Sequence, residues 1–180
     1  MSVMQLQRQS SSQSVWQLDT EHSSVEFAVR KLLFLSVTGR LTKLKGSIVM
    51  DEDSVGACSV EATMESASID TGNKRRDAHL RAAFLDVTNH PDIHFRSLEV
   101  GRGKDRDMLI VRGDLSIRDR NKEVVLDVTE IDRSRSPNGE EVIYYVAETE
   151  LDRFDFGVTA WRGVVGSKLK VVINVQANRV

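Results

Sequence analysis

Two short segments of the chain contain side chains that could take part in acid–base or ionic chemistry. Arg76, Asp77 and His79 fall within one segment, and Arg153 lies in another, beside aromatic residues. A carboxylate and an imidazole can exchange a proton, and a guanidinium can bind an anion. Residues two positions apart do not share a helical face, so Asp77 and His79 are not expected to act on one group. Because the sequence also lacks a nucleophile elbow, a phosphate-binding glycine loop and an HExxH motif, we predict no catalytic residues.

The histidines and the single cysteine bear on metal binding. His90 and His94 are four positions apart, the spacing of a metal chelate on a helix. Pro91 and the strand-like residues after it predict an extended segment, in which the two rings would lie roughly 13 Å apart. Cys58 is the only cysteine, which excludes a zinc site built from several cysteines and an intramolecular disulfide. We therefore expect no metal ion and no other cofactor.

Basic residues are concentrated around the first segment. Arg75, Arg76 and Arg81 could attract an anionic head group to the mouth of a pocket. The alternative, which we favour, is a solvated face on which these residues pair with nearby aspartates. For Arg153 we likewise expect a structural ion pair with an aspartate at the end of a strand.

The composition indicates one folded domain in a chain of 180 residues. Apolar residues make up 40% of the chain, which is too many for a disordered protein. The 25 basic and 27 acidic residues give a net charge of −2, so no basic footprint for nucleic acid is present. The sequence contains no run of about 18 apolar residues, so no membrane span is predicted. Residues 1–13 are predicted to be a flexible tail before a domain over residues 14–180, and the lack of a secretory signal predicts a cytoplasmic protein.

Alternation of apolar and polar residues is the strongest pattern in the sequence. It includes Val25, Phe27 and Val29 and recurs over residues 58–65, 124–128 and 169–175. A period of two predicts strands with one buried face. Further β-rich runs cover residues 37–50, 93–100, 108–118 and 142–151, with turn signals between several of them. About eight strands, joined mostly by hairpins, predict an antiparallel sandwich or a closed barrel.

Two features interrupt the strand pattern. Residues 74–83 predict a helix of about ten residues, with Asp70 or Thr71 as its N-cap. A second short segment, irregular or helical, is predicted at residues 159–164.

Gly39 and Gly46 predict a bend or bulge that curls the sheet. A small barrel of this kind is either packed or able to hold one ligand, and the residues alone leave both open.

The ordered motifs resemble those of the YceI-like family, also called the polyisoprenoid-binding, lipocalin-like family. The matching segments are residues 16–27, 37–40, 68–73, 76–81, 93–97, 113–117 and 152–157. Each string is short, but their order extends over almost the whole domain.

This resemblance implies an all-β fold: an eight-stranded antiparallel, lipocalin-like barrel with one or two short helices and a long apolar cavity. Members are thought to hold a polyisoprenoid, an isoprenoid quinone or a fatty-acid-like lipid there, they commonly form dimers, and many are exported. The resemblance therefore implies a binding or carrier protein with transport as its role and no chemistry of its own. Its expected partners are a long-chain isoprenoid or lipid and a second copy of the chain.

The same resemblance identifies candidate ligand-binding residues. Inward strand positions and one aromatic residue near the C-terminus would line the cavity: Phe27, Val29, Met64, Phe95 and Trp161. Arg76, Asp77 and His79 match the helix motif of the family. They are expected near the barrel mouth, where they either fix the helix or meet a head group. Arg153, in the matching segment 152–157, is the ninth candidate ligand-binding residue.

Two other functions are alternatives to a carrier. One is an enzyme acting on a lipid or quinone substrate, with Asp77, His79 or Arg153 as acid–base or electrostatic groups. The other is a structural or stress-response module whose cavity is incidental.

Overall fold

The computed structural model describes residues 12–32 and 34–180, and strands account for most of them. The strands are β1 (Gln13–Leu18), β2 (Ser24–Lys31), β3 (Leu35–Leu41), β4 (Leu44–Asp51), β5 (Ser59–Glu65), β6 (Ile69–Asp70), β7 (Asp92–Arg102), β8 (Met108–Ile117), β9 (Arg120–Arg135), β10 (Glu141–Asp152) and β11 (Val165–Arg179). One α-helix, α1 (Lys74–His79), continues into a π-helical turn, Leu80–Phe84. Short 3₁₀ turns cover Val55–Ala57, Ser66–Ser68 and Arg153–Phe156.

The strands close into an antiparallel barrel. The order is β1-β4-β5-β7-β8-β9-β10-β11, and β11 returns to pair with β1. The first half of β11 pairs instead with β2, which pairs with β3, and β3 pairs with β6. β1 and β2, β3 and β4, and β5 and β6 therefore each act as one bent strand. The barrel has eight strand positions, which confirms the predicted all-β, eight-stranded antiparallel fold.

The period-two pattern places apolar side chains inside the barrel. On β2, Val25 and Val29 are buried while Glu26 is exposed. On β10, Ile143 and Ala147 are buried in the same way. Because alternate side chains of a strand point to opposite faces, one buried residue in two is enough to fill the interior of a closed sheet.

The bend between β3 and β4 does not lie at either glycine. It lies at Thr42 and Lys43, whose backbone N–H groups both donate to the Ser68 hydroxyl at 3.2 Å. Gly46 is needed for a different reason, since a Cβ atom there would lie 2.2 Å from the carbonyl oxygen of Glu61. The prediction of a bend was therefore correct for this run of residues, but its position was wrong.

The two ends of the barrel differ in their elements. The helix end contains the turn between β2 and β3, α1 and residues 153–164. The terminal end contains the first residues of β1, the last residues of β11, residues 52–58 and the turn between β9 and β10.

The helical segment differs in detail from the prediction. The α-helix ends at His79 and the chain continues as a π-helical turn to Phe84, and Asn73 is its N-cap instead of Asp70 or Thr71. The Asn73 side chain accepts a hydrogen bond from the Arg76 N–H at 3.0 Å. Residues 160–164 form a turn. Residues 1–11 of the predicted tail lie outside the described residues, and β1 begins at Gln13. Within the described part of the chain, the helical elements are too short to cross a bilayer.

Candidate ligand-binding site

An apolar cavity of about 620 Å³ lies inside the helix end of the barrel. Its apolar lining includes Val37, Leu41, Ile69, Leu80, Phe84 and Leu169. Strands supply one part of this wall, and α1 with the turn after it supplies another. Ligand cavities in proteins are commonly about 300–1,000 Å³ and mostly apolar, so this cavity has the size and lining of a site for an apolar ligand.

β2 contributes three residues to the cavity wall in strict alternation: Phe27, Val29 and Lys31. The Phe27 ring extends across the neighbouring strand, directly over Gly39. A Cβ atom at Gly39 would lie 2.6 Å from Cζ of Phe27, so only glycine leaves room for the ring there. The position of the Phe27 ring therefore depends on the glycine in the adjacent strand.

The helix α1 is fastened over the cavity by hydrogen bonds to Thr71. The carboxylate of Asp77, which is buried, accepts from the Thr71 N–H at 3.0 Å and from its hydroxyl at 2.5 Å. Arg76 Nε donates to the Thr71 hydroxyl oxygen at 2.8 Å, and its Nη2 donates to the Thr71 carbonyl at 3.0 Å. Arg76 lines the cavity, whereas Asp77 lies behind the helix and does not. Both side chains fix the helix.

Arg81 has a similar fastening role. Its Nε donates to the carbonyl of Ala67 at 2.8 Å and its Nη2 to that of Ile69 at 2.9 Å. The predicted solvated face of paired arginines is therefore wrong. Asp70 pairs with Arg40 of β3 instead, and Arg75 forms no ion pair with any carboxylate in the described residues.

His79 and Trp161 meet at the edge of the cavity, and both line it. The Trp161 Nε1–H donates to Nε2 of His79 at 2.8 Å, which requires the proton of a neutral His79 ring to lie on Nδ1. The His79 ring also contacts the edge of Phe84, with ring centroids 5.8 Å apart. Because Trp161 is 51% exposed and still lines the cavity, the cavity reaches the surface here.

Arg153 is buried at the base of the same region, and the expected ion pair with an aspartate is wrong. Its guanidinium donates four hydrogen bonds to backbone carbonyls, those of Val158, Ala160, Val165 and Gly166, at 2.7–2.9 Å. It also lies 4.7 Å from the ring centroid of Phe154. Burial lowers the pKa of this guanidinium, although the charge of Asp152 acts in the opposite direction. Arg153 holds residues 157–166 in place while its side chain lines the cavity.

A second cavity of about 200 Å³ lies deeper in the barrel. Met64 and Phe95 line this inner cavity and not the larger one. Leu41, Ile93, Ile117 and Leu151 line both, so they form the layer between the two. The interior is thus two apolar chambers that share a wall.

The structure brings six of the nine candidate residues together: Phe27, Val29, Arg76, His79, Arg153 and Trp161. Sequence reasoning missed the apolar residues that α1 and the adjoining turn contribute, such as Leu80 and Phe84. It also missed Lys31, which continues the alternation of β2 into the cavity. The period-two pattern contained that signal, but a lysine at the end of a strand is usually solvated.

The arrangement provides no acid–base pair inside the larger cavity. Asp77 is bonded to Thr71 and His79 to Trp161, so the two side chains have separate partners. Across residues 12–32 and 34–180, the His, Cys, Asp and Glu side chains form no cluster of three that could hold a metal ion. What the geometry offers is an apolar enclosure with basic groups and a histidine at its edge.

Comparison with known proteins agrees with this geometry. The YceI-like domain matches residues 16–177. A UPF0312 protein of Pectobacterium carotovorum is 32% identical over 161 residues, which cover 88% of this chain and 82% of that protein. The protein YceI of Shigella flexneri is 30% identical over 157 residues, covering 87% and 81%.

Solved structures show the same fold. Burkholderia cenocepacia BcnA superimposes with a TM-score of 0.79 at 18% identity, over 88% of this chain and 98% of that one. A polyisoprenoid binding domain from Saccharophagus degradans gives a TM-score of 0.69 at 14% identity, over 92% and 98%. With the domain match over residues 16–177 and relatives at 30% identity or more over most of their length, the chain belongs to the YceI-like family.

Proposed function

We propose that this protein binds and carries a long-chain apolar amphiphile, such as a polyisoprenoid, an isoprenoid quinone or a fatty-acid-like lipid. The observation that supports it best is the apolar cavity of about 620 Å³ inside the barrel. Each methylene group transferred from water into such a cavity contributes about 0.8 kcal/mol. A tail of about fifteen carbons therefore has a gross gain near 12 kcal/mol before ordering and association costs, which is ample for binding.

The two chambers suggest how chain length is accommodated. A short tail fits in the larger cavity, and a longer tail enters the inner one if side chains in the shared wall change rotamer. Ile117 and Leu151 stand in that wall and are only partly buried. Apolar contacts discriminate weakly between similar chains, so we expect broad tolerance of tail structure.

Catalysis is not part of the proposal. The side chains considered for it, Asp77, His79 and Arg153, have hydrogen-bond partners within the protein that explain their positions. If His79 were an acid–base group, His79→Ala would abolish turnover of a lipid substrate and leave its binding intact.

The direct test is extraction of the purified protein with organic solvent, followed by mass spectrometry of the extract. A stoichiometric long-chain species is the expected result and would identify the ligand class. An empty extract after expression in a native-like host, together with no uptake of a fluorescent fatty-acid analogue, would overturn the proposal.

A pair of variants locates the site. Leu169→Phe replaces an aliphatic side chain in the cavity wall with a bulkier aromatic ring. It is expected to weaken binding of the fluorescent analogue about tenfold. Val125→Phe is the matched control, because Val125 is exposed on the outside of β9 and should leave binding unchanged. Val37→Phe, on a different strand of the wall, repeats the test if Leu169→Phe fails to fold.

A further inference from the structure

The helix end of the barrel exposes an apolar surface. Among the described residues it contains five exposed apolar side chains, Leu32, Phe34, Leu35, Trp161 and Val164, which we call the helix-end patch. Phe34 is 94% exposed. An exposed phenylalanine with several apolar neighbours is unusual on a soluble surface and marks a site of contact with a partner or a membrane.

The patch is contiguous because its two segments are joined by backbone contacts. The Leu32 N–H donates to the carbonyl of Val164 at 2.9 Å. Lys31 lies opposite Leu35 on one side and opposite Val165 on the other in the strand pairing. Leu32, Phe34, Leu35 and residues 161–164 therefore form one surface at the adjoining ends of β2, β3 and β11, at the place where the larger cavity reaches the exterior.

Basic residues flank the patch. The sequence has no Asp or Glu from residue 27 to residue 50, nor from residue 156 to residue 180. Lys31 and Arg162 flank the apolar side chains, and Arg75 lies on α1 beside the same cavity. Within the described part of the chain, none of these three forms an ion pair with a carboxylate. Their charges are free to meet an anionic partner.

We propose that the helix end docks on an anionic phospholipid bilayer, with the helix-end patch among the acyl chains and the basic residues at the lipid head groups. Apolar side chains ringed by lysine and arginine are the chemistry by which proteins bind membrane interfaces. Tryptophan favours the boundary between lipid head groups and acyl chains because its ring is apolar and its N–H is polar. Docking would bring the cavity opening to the membrane surface. The proposal goes beyond the carrier function and does not depend on it.

A second copy of the chain is a less suitable occupant of this surface. Two-fold pairing through the patch would bring Lys31, Arg75 and Arg162 of one copy toward the same residues of the other. Like charges brought together at an interface oppose association. An anionic bilayer has the complementary charge.

The experiment measures binding of the full-length purified protein, stripped of lipid, to vesicles by co-sedimentation. Vesicles of phosphatidylcholine alone are compared with vesicles that also contain phosphatidylglycerol. We expect binding to the anionic vesicles, weakened by added salt, and little binding to the neutral ones. Trp161 fluorescence should shift to the blue on binding, while Trp16, which is buried at the terminal end, should not respond.

Variants test the two parts of the surface. Phe34→Ser with Leu35→Ser is expected to weaken binding about tenfold or more, because the apolar insertion is lost. Arg162→Gln should weaken it about fivefold. Ile131→Ser is the matched apolar control, since Ile131 is 60% exposed on β9, and Arg106→Gln is the charge control between β7 and β8. Both controls should bind as the parent does.

Each outcome is decisive. Equal binding to neutral and anionic vesicles would overturn the role of the basic residues. Absence of binding to either vesicle would overturn the proposal. A dimer in solution that Phe34→Ser dissociates would assign the surface to a second copy instead. Lipid extraction from the same preparation reports the carrier function separately, so failure of one proposal is distinguishable from failure of the other.

Discussion

The two ends of the barrel hold their arginines in different ways. At the terminal end, charges are paired with each other: Arg133 contacts Glu52 at 2.9 Å and Glu130 at 3.3 Å, and Glu141 contacts Arg179 at 2.6 Å. The hydrogen bond from Arg179 is the main reason that the pKa of Glu141 lies below its usual range. These pairs join β9, β10, β11 and the loop after β4. The charges of Arg133 and Arg179 are therefore balanced by carboxylates of the same fold.

At the helix end, the buried cation Arg153 is held by backbone carbonyls, and Lys31 and Arg162 have no carboxylate partner in the described residues. Carbonyl dipoles satisfy the N–H groups of a guanidinium without neutralising its charge. The charge of Arg153 is therefore not neutralised by its hydrogen-bond partners. Ion pairs therefore connect the strands at the terminal end, whereas at the helix end, beside the pair between Lys168 and Asp152, carbonyl bonds hold Arg153 and leave its charge available.

The largest expected effect is at Arg153. Arg153→Met keeps the stem of the side chain but removes the donors for four carbonyls. Because buried carbonyls without partners are costly, we expect a loss of about 3 kcal/mol or more in the free energy of unfolding, measured by denaturant titration. Hydrogen exchange should increase in residues 157–166. Arg96→Met, whose parent side chain is exposed and paired with Glu61, is the control and should change stability by about 0.5 kcal/mol at most. An Arg153→Met protein as stable as the parent would contradict the carbonyl account.

Asp77 should have the next largest effect. Asp77→Ala leaves the Thr71 N–H and hydroxyl without their acceptor, and we expect a loss of about 2 kcal/mol in unfolding free energy. Asp77→Asn keeps one acceptor oxygen and should lose less. Since Asp77 does not line the cavity, affinity for a fluorescent fatty-acid analogue should stay within about twofold in the variant that remains folded. A large loss of affinity with unchanged stability would show that Asp77 contacts the ligand.

The barrel was predictable because its signal is local. Alternation over Val25, Phe27 and Val29 depends only on which face of a strand is buried, and a period of two reports that directly. The same pattern does not report depth along the barrel axis. Met64 and Phe95 point inward as predicted, yet they line the inner cavity because register along the ring decides the level of each strand.

The partners of Arg153 and the position of the helix cap were not predictable in the same way. A guanidinium bonded to four carbonyls leaves no mark in the side-chain sequence, whereas the neighbouring Asp152 suggested an ion pair. Asp70, Thr71 and Asn73 are all good N-cap residues, and tertiary contacts chose among them. The opposite faces of Asp77 and His79, by contrast, follow from helix geometry alone, and the structure gives the two residues different partners.

A smaller effect is expected at the contact between His79 and Trp161. His79→Phe keeps a ring beside Phe84 but removes the acceptor for the indole N–H. Water can replace that acceptor because Trp161 is half exposed, so the loss in unfolding free energy should be about 0.5–1 kcal/mol. Iodide quenching of tryptophan fluorescence gives a second measurement. It should increase for Trp161 at the helix end, and the buried Trp16 serves as the internal reference at the terminal end. Unchanged quenching would mean that the hydrogen bond does not hold Trp161 in place.

The smallest effect concerns the ion pairs of the terminal end and depends on pH. Folding lowers the pKa of Glu141 from its ordinary value of 4.5. A lowered pKa in the folded state gives stability that is present above pH 4.5 and is lost as the pH falls through the folded value. The stability difference between the parent and Glu141→Gln should therefore be present at neutral pH and shrink in acid. Glu148→Gln is the control on the same strand, and no described residue pairs with Glu148. If the difference persisted unchanged in acid, the contribution of Glu141 would come from packing, and the contrast between a charge-paired end and a carbonyl-held end would no longer stand.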